Sequence, residues 1–223
     1  MKRVFQLVTG LLLGLGAVGI WITRAAPGPS AVSFTPAPER PAPAFTLTAH
    51  SGERVRLDDF RGRGVVLFFG YTHCPDVCPL TLAHLTRGLA DLGEGAGDVQ
   101  VLFVTVDPAR DTPDRLAEYL ASFDPRIVGL TGSPAEVERV LSAYGVAAEA
   151  ILRHGEDGEA VTPADSGPRA DADAVLGPGG EGTMVHTARL FTVLPDGRLG
   201  PSLGASPPAH AVRALLAEVA AAR

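Results

Sequence analysis

The sequence predicts an α/β domain with a largely parallel core, carried behind an N-terminal transmembrane anchor. Three observations predict it. Residues 4–22 carry no charge and follow Lys2 and Arg3; residues 65–71 form an apolar run of strand length; and from there to residue 144 such runs alternate with segments of helical period.

The anchor comes first. Its 19 uncharged residues, at about 1.5 Å each in a helix, span roughly 28 Å, close to the hydrocarbon thickness of a bilayer. The two basic residues ahead of it favour a cytoplasmic N-terminus and a body exported to the periplasmic side of an inner membrane, crossed once. The alternative is a cleaved secretory signal, but its apolar region is usually shorter, and the residues around Thr23 and Ala25 make a poor cleavage site. No cysteine lies near the end of the segment, which argues against a lipoprotein anchor. The organisation expected is residues 1–24 as anchor or signal, residues 25–44, with six prolines, as a semi-extended tether, and residues 45–223 as the folded domain.

Within the domain the expected order is strand 65–71, helix 80–92, strand 99–106, helix 113–123, strand 127–130 and helix 134–144. Leu116, Tyr119, Leu120 and Phe123 make an i, i+3, i+4, i+7 stripe, as do Val137, Val140, Leu141 and Tyr144. Ser133, Pro134 and Glu136 supply a cap, a first-turn proline and a capping-box partner, and Gly145 ends that helix. From 154 to 183 the pattern dissolves. Residues 154–182 hold seven glycines, three prolines and seven acidic residues, which predicts a mobile surface insertion. A strand at 188–194, a turn at Pro195, Asp196 and Gly197, and a last helix carrying Val212, Leu215, Leu216 and Val219 complete the chain.

Composition narrows function less. A length of 223 residues, 46% hydrophobic, suits one domain with appendages. The net charge of −6 and the lack of a Lys/Arg cluster beyond the first three residues exclude nucleic acid as an expected partner.

The chemistry concentrates at residues 70–79, Gly-Tyr-Thr-His-Cys-Pro-Asp-Val-Cys-Pro, which hold both cysteines of the chain. The pair follows directly on a buried strand, where open α/β sheets place their ligand sites. Pro79 suits the first turn of a helix, so residues 74–78 are expected to form one tight turn into it. Two thiols so close make either a short disulfide or a soft metal chelate. The helix N-terminus is expected to favour the thiolate at either sulfur. A purely stabilising disulfide is the plainer alternative, though so short a loop constrains the unfolded chain little.

Three spaced motifs make the resemblance specific: residues 70–79, the block Val106-Asp107-Pro108-Ala109-Arg110-Asp111-Thr112-Pro113, and Val185-His186-Thr187 ahead of a strand and a Pro-Asp-Gly turn. In these, from about residue 45 to the last helix, the chain resembles the Sco/SenC family of membrane-anchored, thioredoxin-like copper proteins. The resemblance implies a thioredoxin-like fold and Cys74, Cys78 and His186 as ligands of a copper ion. It also implies a role in assembling the binuclear copper site of cytochrome c oxidase, with the copper-bearing subunit as partner and other periplasmic copper chaperones or thiol reductases as further ones. Two thiolates and an imidazole form a soft set suited to Cu(I), whereas a structural zinc site would normally want a fourth ligand; Cu(II) with an added oxygen ligand is a second state such a site could hold.

One departure stands out: Val185 occupies a position where many relatives carry an acidic residue, so affinity is in question more than ligand identity. His73 is expected to be structural, and His50, His84, His154 and His210 to be surface or packing residues. Asp107 and Arg110 are candidates for a pair supporting the site, while Asp111, Thr112 and Pro113 are read as a helix start. Two functional classes follow. One is a metallochaperone; the other is a thiol–disulfide oxidoreductase in which Cys74 and Cys78 are the redox-active residues, or a redox or copper sensor built on the same pair. The C-x3-C spacing argues against a general thioredoxin, as does the lack of a proline before the later strand, and no Pro-x3-Thr-x2-Cys pattern supports a peroxiredoxin.

Overall fold

The computed structural model describes residues 34–36, 40–146, 148–153, 160–161, 183–186, 189–204 and 206–222. The expected anchor at residues 4–22 lies outside them, and among the described residues no helix is long and apolar enough to cross a membrane.

Three central strands are parallel: β3 (Gly64–Gly70), β4 (Val99–Thr105) and β5 (Ile127–Thr131). Every residue of β3 and β4 is buried, which is why their sequences are continuous apolar runs instead of alternating ones. Two short antiparallel strands, β1 (Thr46–Ala49) and β2 (Arg54–Arg56), extend the sheet beyond β5, and β9 (Leu190–Val193) closes its other side against β3. The order is β2-β1-β5-β4-β3-β9. The helices are α1 (Val77–Leu92), α2 (Pro113–Leu120), α3 (Pro134–Tyr144) and α4 (Ala209–Ala221). Helix α4 packs along α1 and against β3, α2 against β5 and α3 against β1. Leu82, Leu85 and Leu89 of α1 and Val212, Leu215, Leu216 and Val219 of α4 are fully buried. The result is the mixed α/β sheet with helices that the sequence predicts.

Differences from expectation have local causes. Helix α2 stops at Leu120, three residues early, because the residue before Pro125 is biased away from helical backbone; Asp124 N–H instead donates to Thr86 Oγ1 at 3.1 Å. Strands β1 and β2, at four and three residues, are too short to carry a readable period. The last residues of the Pro-rich stretch lie against the domain: Thr35 and Ser202 exchange backbone hydrogen bonds of 2.9 and 3.1 Å, and Ala42 N–H donates to Gly197 at 3.0 Å. A second, antiparallel sheet of β6 (Ala148–Arg153), β7 (Ala160–Val161) and β8 (Thr183–His186) runs in the order β7-β6-β8. Strand β6 was not expected, and β7 falls within the expected insertion, of which residues 154–159 and 162–182 lie outside the described residues.

The expected capping box is present. Ser133 Oγ accepts from Glu136 N–H at 3.3 Å, and the Glu136 carboxylate accepts from Ser133 N–H at 2.8 Å. Gly145 closes α3 in the left-handed conformation at φ 66°. Glu136 also meets Arg54 of β2 at 2.8 Å. The Ser133 N–H and hydroxyl, then Arg54, hold the Glu136 carboxyl at about 2, below its ordinary 4.5. Its contribution to stability is therefore full above pH 4.5 and is lost as pH falls through 2. Urea midpoints measured at pH 5 and pH 2 should fall more steeply for the parent chain than for Glu136→Gln; parallel falls would refute the assignment. At Gly64, an added Cβ would meet Val219 Cγ1 and lie 2.9 Å from the Val219 carbonyl oxygen. Since backbone cannot swing aside, Gly64→Ala should cost about 1–3 kcal/mol in chemical unfolding. An unchanged midpoint would mean α4 approaches β3 less closely.

Candidate metal centre

The parallel strands end at one edge, with Gly70 opposite Thr105, and Val106 N–H donates to the Gly70 carbonyl at 2.8 Å just beyond it. The chain then turns through Tyr71–Cys74, closed by Cys74 N–H on the Tyr71 carbonyl at 3.3 Å, and enters α1 at Val77. Cys78 lies in the first turn of that helix, while Cys74 remains in the loop before it. The tight turn expected over residues 74–78 is thus part loop and part helix.

Neither cysteine is in a disulfide, and Cys74 is near enough to Cys78 to push its thiol up. Cys74 is half-buried, whereas Cys78 is 0% exposed. Gly70 makes room for it: an added Cβ there would stand 2.6 Å from Phe103 Cε2 and 2.9 Å from Cys78 Sγ. Burial pushes the Cys78 thiol up, well above its ordinary range; the Tyr71 backbone N–H opposes this, and Cys74 and Asp111 add to it. Here the expectation that the helix N-terminus favours thiolate fails for Cys78. Desolvation at a fully buried sulfur outweighs the partial charge of a helix end.

Behind the loop lies a polar knot in which Asp111, expected as part of a helix start, has a different role. Asp111, at 0% exposed, accepts from Thr72 N–H at 3.1 Å, Thr72 Oγ1 at 2.7 Å and Thr105 Oγ1 at 2.6 Å. Burial raises its pKa, and these three bonds oppose the rise. Thr112 caps α2, accepting from Arg115 N–H, and Pro113 follows it. Only one residue can be the cap, so Asp111, one position earlier, was available for other work; that was the signal to be read. Asp107 and Arg110 do pair, the guanidinium donating to the carboxylate, and Asp107 N–H donates to Thr105 Oγ1 at 2.9 Å. The pair borders the knot, but Asp111 is the carboxylate that reaches the cysteine loop.

His73 is exposed, with Nδ1 3.1 Å from Thr72 Oγ1. The Thr72 hydroxyl gives its proton to Asp111 and accepts from Arg115 Nε at 3.3 Å, so His73 Nδ1 completes it as donor. This agrees with a structural His73. His50 Nδ1 accepts from Gly129 N–H at 3.0 Å and His84 Nδ1 lies 3.1 Å from the Pro207 carbonyl, both packing roles; His154 lies outside the described residues.

His186 ends β8, opposite Ala148 of β6; its side chain lies outside the described residues. Among those residues no group of three His, Cys, Asp or Glu is gathered for a metal. In chain order the second sheet falls between two rings that pack on the strand leading to the cysteines. Tyr144, at the end of α3, meets Phe69 at 5.5 Å and Phe191 at 5.6 Å between ring centroids, and Phe69 meets Phe191 at 5.7 Å. Strand β6 follows Tyr144, β8 precedes Phe191, and Phe69 directly precedes Gly70. Chemically, the site holds two soft donors in mutual contact, one accessible and one enclosed, which fits a soft ion such as Cu(I).

The family model SCO1/SenC matches residues 35–221. Protein sco1 of Schizosaccharomyces pombe is 43% identical over 104 residues, 46% of this chain and 40% of that protein, and the matches to curated relatives span less than half of those proteins' lengths. The structure of Bradyrhizobium japonicum ScoI with copper bound is 33% identical, with a TM-score of 0.63, over 81% of this chain and 99% of that one. BsSco, a member of the Sco family of cytochrome c oxidase assembly proteins with a disulfide switch, is 20% identical over 84% and 97% of the two chains; its TM-score of 0.57 shows likeness of fold. With the family match running from the first described strand pairing at Thr35 to the end of α4, the chain belongs to the SCO1/SenC family.

Proposed function

We propose that this chain is a copper metallochaperone. It holds Cu(I) between Cys74 and Cys78 with His186 as third ligand, and delivers it to, or prepares, the binuclear copper site of cytochrome c oxidase. It acts from the periplasmic face of the inner membrane, held there by residues 4–22. The observation that carries the reading is the contact between an accessible thiol and a fully buried one. A copper-bound relative of the same fold and the oxidase-assembly context of the family support it.

The asymmetry of the pair supplies an order of events. Copper arrives at Cys74, whose sulfur an incoming ligand can reach, and displaces its proton. Cys78 then gives up its own proton and encloses the ion from the buried side. Delivery runs in reverse: an acceptor ligand replaces Cys74 first, and Cys78 lets go last. Ligand exchange at the open side never releases free ion. The polar knot keeps this geometry, since Asp111 holds Thr72, two residues before Cys74, to Thr105 of β4.

The same contact favours thiol–disulfide exchange as a second reading. Cys74 thiolate would attack a partner disulfide, forming a mixed disulfide and expelling one partner thiolate. Cys78 would then attack Cys74 Sγ, leaving the partner as a dithiol and Cys74–Cys78 as the disulfide. Reduction of an acceptor pair must precede its metallation, so one protein can serve both steps.

An anaerobic Cu(I) titration against a competing chelator separates the readings. The parent chain should bind one tight equivalent, lost in Cys74→Ala and Cys78→Ala and weakened in His186→Ala. Weak binding indifferent to His186 would remove the three-ligand site and leave the reductase. Asp111→Asn places an amide donor where three donors now converge. It should cost about 1–3 kcal/mol of stability and weaken Cu(I) binding roughly tenfold, read by urea unfolding and the same titration. Unchanged affinity would show that the knot serves folding alone.

A further inference from the structure

Tyr119 contributes to the apolar stripe of α2, yet its hydroxyl is buried and has no hydrogen-bond partner among the described residues. Buried hydroxyls are nearly always satisfied, and a phenylalanine would fill the same stripe without the penalty. An unmet donor of this kind calls for a partner in another state of the molecule.

The surroundings indicate which state. Arg115 and Tyr119 are four residues apart and share one face of α2, and Arg115 Nε reaches Thr72 Oγ1 at 3.3 Å, so this face abuts the cysteine loop. The Tyr119 ring packs on Phe103 at 6.0 Å and Phe123 at 5.6 Å between centroids. Phe103 is the same ring that, with Cys78 Sγ, crowds the Cβ position of Gly70. Tyr119 and Cys78 therefore both lie beside the Phe103 side chain. Burial raises the Tyr119 pKa, and of its neighbours Cys78 pushes it further up most, ahead of Cys74 and Asp111, with Arg115 opposing. In the thiol form Cys78 is a weak acceptor; once its sulfur carries negative charge it becomes a strong one.

We infer that Tyr119 is a positioning residue whose buried hydroxyl donates to the Cys78 sulfur when that sulfur is copper-bound, and so favours retention of Cu(I) by the enclosed ligand. The inference rests on the copper reading above. The donor waits unpartnered while the pair is a neutral dithiol and is matched once copper has displaced the Cys78 proton. It thereby strengthens the ligand that lets go last while leaving the entry ligand, Cys74, free to exchange.

The test uses the full chain, purified in detergent, as parent and Tyr119→Phe. Because the hydroxyl has no hydrogen-bond partner among the described residues, Tyr119→Phe should unfold in urea at the same or a higher midpoint than the parent when both are reduced and metal-free. It should nevertheless bind Cu(I) roughly tenfold more weakly in chelator competition. Loaded with Cu(II), its sulfur-to-copper charge-transfer band should move to lower energy, since a thiolate without a hydrogen bond is easier to oxidise. Failure of the parent to bind copper would overturn the copper reading and this inference with it. Copper binding of equal strength and equal band position in both chains would overturn the role of Tyr119 alone. A lower unfolding midpoint in metal-free Tyr119→Phe would assign the hydroxyl to folding and count equally against it.

Discussion

The buried carboxylate of Asp111 is the constraint on which the rest of the site depends. It accepts three hydrogen bonds, two from Thr72 and one from Thr105, so a loop residue, a strand residue and the start of α2 are held at one point. Leaving those donors unmet in an apolar interior would be costly, and leaving the carboxylate unmet costlier still. The bonds therefore form as a set. Once they do, the backbone from Gly70 to Cys74 has little freedom, and the direction in which the cysteine loop leaves the sheet is determined.

On that base the two cysteines acquire different characters from different solvation. Cys78 begins a helix, where partial positive charge would favour a thiolate, but it is enclosed by Phe103 and the strand end at Gly70, and desolvation dominates. Cys74, four residues earlier, keeps contact with solvent. A chelate built from such a pair has an open side and a closed side, which is the property a protein needs if it must bind an ion tightly and still hand it on. The same asymmetry would let one thiol attack a partner and the other resolve the mixed disulfide, so the proposed copper transfer and the alternative thiol exchange would draw on one geometry.

The aromatic cluster of Phe69, Tyr144 and Phe191 plays a comparable role at longer range. It binds the end of β3, the end of α3 and the start of β9 into one apolar contact. In chain order, the sheet carrying His186 falls between the last two of these.

Much of this was legible in the sequence. The all-apolar runs of β3 and β4, the capping box of Ser133 and Glu136 and the proline that opens α2 declare themselves through local chemistry, because a buried strand, a cap and a first-turn proline each restrict which residue types fit. The 70–79 motif likewise announced a site. What local chemistry could not show was where burial falls. By local chemistry Asp111 suits a helix start; only the return of β4 beside β3 turns it toward Thr72 and Thr105. The raised Cys78 pKa, the exposure difference between the two thiols and the buried Tyr119 hydroxyl have the same origin. Each depends on residues distant in sequence that exclude water, and the free energy of a polar group follows its solvation more than its neighbours in the chain. The sequence alone thus determined which donors the protein carries and at which end of which strand; only the tertiary structure decided which of them are dry.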